Sequence, residues 1–270
     1  VSGERSSGAA RRILSPYLDS PRRRRTAGLL AAAAPGELRG CFVPLIDGGA
    51  TAIALLQAHP EGWFALSSPN PDVVAVWESL RDDVDGLLAG IQELAASHGH
   101  ATFAAARDRT IADIDRMPAV ARAARFVYLR GTAKTDAEGE PLHQFEHAEL
   151  GRDTVAYDAL ATRDLAGLLR ERDVTISRRG LFDLLPEVGE DDVVVLDPPA
   201  AVPDARELRS FVGAVTAKGA GVLARDLGGG FYAGWPGMVR LGESSSSGDD
   251  PICVNTVLQR ARSSATSRDW

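Results

Sequence analysis

Residues 190–200 read EDDVVVLDPPA. An acidic turn leads into four apolar residues, Val193 to Leu196, and the run stops at Asp197-Pro198-Pro199. A short unbroken apolar run bounded by turn residues predicts a strand buried on both faces, as in a parallel sheet. The prolines end it because they bring no N–H to a ladder. The turn after the strand then matters most, because ligands of open α/β sheets lie beyond the carboxyl ends of strands.

The flanking chain has the rhythm of such a sheet. Residues 41–60, CFVPLIDGGATAIALLQAHP, give a strand, a Gly-rich turn and an apolar helix. From Trp63 a second strand runs into Ser-Pro-Asn-Pro and a helix with apolar residues at helical spacing. Residues 78–130 are mainly helical and alanine-rich, and Asp136 to Gly139 carries turn signals suited to a hairpin or long loop. Residues 164–173 predict a helix, 173–177 a strand, 204–217 a helix and 219–227 a strand; SSSSGDD at 244–250 reads as a loop, and residues 251–261 as an edge strand. The expectation is an α/β fold with one domain made of 1–77 and 153–270, and a mainly helical insertion at 78–152.

Composition sets wider bounds. The 270 residues are 44% hydrophobic and 25% charged, an ordinary globular balance. Net charge is −7, but residues 1–25 hold seven arginines against Glu4 and Asp19. That makes the arm +5 and the remainder −12. Arg22, Arg23, Arg24 and Arg25 read as a solvated tail or helix end; a basic arm on an acidic body can still meet phosphates. Cys41 and Cys253 sit among apolar neighbours, which predicts buried free thiols and a reducing compartment. No run of 18 apolar residues occurs and the first residues lack the apolar core of a secretory signal, so a cytoplasmic protein away from membranes is expected.

Five segments, taken in order, resemble the Dam-type family of adenine-specific DNA methyltransferases. SSGAARRILSPYL (6–18) is similar to its amino-terminal cofactor-binding stretch, and FVPLIDGGATAIALL (42–56) to its glycine motif. ALSSPNPDVVAVWESLRDD (65–83) resembles its Asp-x-Asn-Pro turn and helix. AARFVYLRGTAKTDAEGEPLHQF (123–145) resembles the approach to its DNA-contacting hairpin, and residues 176–200 the run ending in Asp-Pro-Pro-Tyr. The resemblance implies a Rossmann-like fold that binds S-adenosylmethionine and methylates the exocyclic amine of an adenine flipped out of duplex DNA. The insertion becomes the target-recognition region. Asp197, Pro198 and Pro199 become the catalytic corner: carboxylate and proline carbonyl accept the two amine hydrogens and steer the lone pair towards the methyl group. Gly8, Pro44, Asp47, Gly48, Gly49, Ser68 and Phe182 fall at the cofactor positions. Arg22–Arg25, Arg130 and Lys134 are the candidate DNA contacts.

Several of these positions depart from the family pattern. Ala200 stands where an aromatic stacks on the flipped base, an interaction worth roughly 1–3 kcal/mol. Ser68 replaces the acid that holds the ribose, and Leu181-Phe182 replaces an Asp-Phe pair whose acid contacts the cofactor adenine. Gly8-Ala9-Ala10 replaces Gly-Gly-Lys, and Asp47 replaces the first glycine of its motif. Hydrogen bonds to charged groups are worth about 1.5–3 kcal/mol each, so losing two implies cofactor binding weaker by roughly two to four orders of magnitude. The expectation is a Dam-like homologue with weakened or lost catalysis. One alternative is a module that holds DNA, another methyltransferase or a restriction-system subunit without catalysis. A remote one is a metalloenzyme built on His143, Glu146 and His147, which form His-x-x-Glu-His.

Overall fold

The computed structural model describes residues 13–17, 21–135, 147–198, 204–226, 231–232, 234–241 and 252–266. Its frame is a sheet of seven strands: β1 (Gly40–Val43), β2 (Trp63–Ser68), β3 (Asp173–Arg178), β4 (Val193–Leu196), β5 (Gly221–Arg225), β6 (Met238–Leu241) and β7 (Ile252–Asn255). Their order across the sheet is β3-β2-β1-β4-β5-β7-β6. The first five are mutually parallel and β7 runs antiparallel to both neighbours. From β1 the chain steps outward to β2 and β3, then returns to lay β4 against the other side of β1. β1 and β4 therefore flank the switch point where a crevice opens in sheets of this kind.

β4 is a buried strand, as its apolar run requires, and strand alternation divides its side chains between two layers. Val193 and Val195 enter a core with α1 (Pro21–Ala33), α2 (Ala50–Ala58), α3 (Pro71–Asp82), α7 (Ala119–Thr132) and α8 (Ala159–Glu171). Val194 and Leu196 enter the opposite core, closed by α9 (Leu181–Leu184) and α10 (Ala205–Ala217). α4 (Val84–Ala96), α5 (His100–Arg107) and α6 (Ile111–Asp115) complete the helical stretch expected from residue 78, and α3 crosses the expected boundary at 77 without a break. Phe126 and Val127 of α7 join the first core, while Tyr128 and Leu129 join a smaller one with Phe103 and Ala148. The expected hairpin falls on residues 136–146, which lie outside the described residues; an isolated antiparallel bridge joins Ala133 to Leu150. His98, in the loop between α4 and α5, bonds the Tyr128 hydroxyl and the Arg152 carbonyl, each at 2.9 Å.

The structure corrects one expectation. Residues 251–261 are not an edge strand: β7 lies between β5 and β6, fully buried, and the chain turns directly into α11 (Thr256–Thr266). The edge at this end of the sheet is β6, which escaped the sequence reading; only Met238 of its four residues is buried. The arginine run is a helix end, the second of its two sequence readings: Pro21 opens α1, its fixed φ suiting a first helical turn, and Arg22 to Arg24 are half-buried. Both cysteines are buried and free, as expected. No helix among the described residues is long and apolar enough to cross a membrane.

One buried amide fastens the antiparallel end of the sheet. Asn255 accepts from the N–H groups of Val222 and Leu258, and donates to the Ala220 carbonyl and the Thr216 hydroxyl. It thereby ties β5, β7, α10 and α11. Asn255→Ala should cost about 3 kcal/mol, since each buried group left without a partner costs about 1–3 kcal/mol; urea unfolding followed by circular dichroism measures it.

Candidate functional site

The ends of β1 and β4 carry two aspartates to the same end of the sheet. After β1 the backbone turns through Pro44, Leu45, Ile46, Asp47 and Gly48 into α2. Leu45 takes a left-handed φ of +61°, a conformation costly for a branched side chain. The Ile46 N–H pins the loop to the Ser67 carbonyl on β2 at 2.9 Å. Gly49 caps α2 at φ +72° and offers no side-chain cap. A Cβ there would lie 2.0 Å from Cζ2 of Trp77, so the indole of α3 rests directly on the glycine turn.

Asp47 is enclosed. Its carboxylate oxygens accept from Nη2 of Arg130 on α7 at 2.9 and 2.8 Å, and the pair is 8% and 14% exposed. The Tyr17 hydroxyl donates to the Asp47 carbonyl at 2.6 Å, and the Trp77 indole N–H donates to the same oxygen at 3.0 Å. The Arg130 guanidinium also stacks over the rings of Tyr17 and Phe126, at 5.6 and 5.5 Å. Burial, then the Asp47 charge, push the Tyr17 hydroxyl well above the ordinary phenol range, so it stays a donor.

Asp197 is enclosed as well. Its Oδ2 accepts from the Thr51 hydroxyl of α2 at 2.5 Å, and its Oδ1 accepts from Nε of Arg225, the last residue of β5. Nη2 of the same arginine donates to the Pro198 carbonyl at 2.6 Å. Arg225 and Asp197 are 12% and 15% exposed. Arg23 of α1 lies near enough to feel both carboxylates: burial lowers its pKa, Asp197 and Asp47 oppose that, and Arg225 and Arg130 add to it.

The other sequence candidates divide into four groups. Pro44 and Gly48 are buried in the β1 loop beside Asp47 and Gly49. Ser68 ends β2, where its hydroxyl accepts from the Asn70 N–H at 3.2 Å, and Asn70 in turn caps α3. Leu181 is buried in the second core, whereas Phe182 is 43% exposed and packs edge-to-face on Phe211. Gly8, Pro199, Ala200, His143 and Glu146 lie outside the described residues.

The arginines and the lysine read as DNA contacts do not act alike. Arg130 is committed to Asp47 inside the protein. Lys134 pairs with Glu149 at an exposed site, 2.5 Å apart. Arg22, Arg23 and Arg24 are half-buried in the first turn of α1, and Arg25 is exposed. Among the described residues no group of three His, Cys, Asp or Glu side chains could hold a metal.

Sequence reasoning missed Tyr17, Arg23, Thr51, Trp77 and Arg225 as members of the crevice. Only Arg225 left a trace, a cation closing an otherwise apolar strand in GVLAR.

Removing Arg130 leaves the Asp47 carboxylate buried without its partner, a situation that costs roughly 3–5 kcal/mol. Arg130→Ala should therefore lower unfolding stability by about 3 kcal/mol, and Asp47→Asn/Arg130→Met should recover most of it. Lys134→Ala should cost no more than about 1 kcal/mol, because exposed pairs contribute little. Denaturant melts of the three variants measure the contrast.

No protein-family model matches this chain, and no curated protein does.

Proposed function

We propose that the chain is a Dam-like adenine-specific DNA methyltransferase homologue whose methyl transfer is weakened or lost. Two features of the frame support the first half. The strand order, with its reversal between β1 and β4, is that of a doubly wound nucleotide-binding sheet extended by an antiparallel pair. The glycine turn and Asp197-Pro198 also meet at that reversal, where a cofactor and a target amine would have to meet.

The second half rests chiefly on one observation, the closure of the β1 turn around Asp47. An S-adenosylmethionine in this family's manner needs a bare glycine turn, a ribose-binding acid after β2 and room above the helix start. Here the turn holds a carboxylate locked to Arg130, Trp77 sits against Gly49, and the Ser68 hydroxyl braces its own turn. These residues do not fit the cofactor. The chemistry left to Asp197 and the Pro198 carbonyl is acceptance of N–H donors.

A DNA-holding role without catalysis draws support from Arg22–Arg25 gathered on one helical turn. It draws none from Arg130, whose charge is spent on Asp47.

Calorimetric titration with S-adenosylmethionine should give no heat of binding at micromolar cofactor, and purified protein should leave adenine-containing restriction sites cleavable. Ala200→Tyr alone should not change either result, because an added aromatic mends the base side and leaves the β1 turn closed. Micromolar affinity, or many turnovers of methylation, would overturn the reading.

A further inference from the structure

We propose that the corner formed by the Asp197 carboxylate and the Pro198 carbonyl is a binding site for planar N–H donor cations of the guanidinium class, and that Arg225 is its built-in ligand. The acceptors are two oxygens on neighbouring residues, and one guanidinium spans them through Nε and Nη2. The other carboxylate oxygen is held by Thr51, which fixes the rotation of the acid. A guanidinium presents its donors in one plane with fixed spacing, so it meets two such acceptors without further ordering.

The donor arrives on a rigid element. Arg225 is the last residue of β5, with Ala224 registered against Leu196 of β4 and Arg225 itself against Ile252 of β7. The ligand is thus supplied by a sheet fixed on both sides, with only side-chain torsions left free. Nothing is lost to association, and both hydrogen-bond partners are largely removed from water. A neutral aromatic amine has two hydrogens to offer the same oxygens but no charge. Charge-assisted hydrogen bonds are roughly twice as strong as neutral ones, so such an amine does not displace the arginine. That this contact is autoinhibitory towards adenine rests on the methyltransferase reading proposed for this chain; the cation site itself does not.

The test is chemical rescue. Arg225→Ala should melt below the wild type, and low millimolar guanidinium sulfate should raise its Tm by about 3 °C relative to sodium sulfate, as a ligand selective for the folded state does. The wild type, with the corner filled, should show no such gain. Asp197→Asn/Arg225→Ala should show none either, because the charged acceptor is gone. Should the alanine variant not fold, Arg225→Gln carries the same measurement, since its amide can satisfy only one acceptor. Absence of rescue, or equal rescue in the wild type or the double variant, overturns the proposal. No cofactor or DNA enters the experiment, so its failure and a failure of the methyltransferase reading are told apart.

Discussion

The short parallel pairing of β1 with β4, Cys41 against Val193 and Phe42 against Val194, is the constraint on which the crevice depends. It brings two loops that are 150 residues apart to one end of the sheet, and each loop carries an aspartate that ends largely out of water. Two carboxylates in a shared, poorly solvated space cannot both stay ionised without compensation. Most of their surroundings answer that requirement. Arg130 reaches Asp47 from α7, Arg225 reaches Asp197 from β5, and Arg23 adds a third positive charge from α1. This also accounts for Arg23 in the first turn of α1, where the positive end of a helix would otherwise disfavour a cation.

Neutralisation and openness compete in this space. A cleft that receives a ligand keeps some donors and acceptors unsatisfied until the ligand arrives. Here the same groups are satisfied from within: the Asp47 carbonyl by Tyr17 and Trp77, Asp197 by Thr51 and Arg225, and the Ser68 hydroxyl by the backbone of its own turn. Each contact is ordinary in strength. Together they convert a crevice expected from topology into packed protein around the β1 turn.

Legibility in the sequence divides along the same line. β1, β2, β4 and β5 were legible because buried parallel strands write themselves as apolar runs closed by turn residues, and α8 and α10 because their apolar residues recur at helical spacing. β6 was not, because its four residues, MVRL, carry neither an apolar run nor a strict alternation. β7 was seen as a strand but placed at the edge, since nothing in PICVN states which strands will flank it. The crevice was half legible. Motif order pointed to Asp47 and Asp197, which are local features of their turns. Their partners come from 83 residues away for Asp47 and 28 for Asp197, and pairing at that range leaves no spacing to read. Arg130 was misjudged for that reason: on a helix near a turn, a lone arginine looks like a surface contact until its partner is known.

The pairing also changes how the departures from the family pattern should be counted. Set against the Dam-type pattern that the sequence resembles, Asp47 and Ser68 count as two independent departures. In the folded chain Asp47 and Arg130 form one unit, because either alone would leave a charge stranded beside Tyr17 and Phe126. Effects within such a unit do not add. Substituting glycine at 47 to reopen the turn would strand Arg130 rather than restore a cradle, and Trp77 would still lie against Gly49. The closed state is therefore held by coupled contacts. Changing any one of them costs stability before it opens the site.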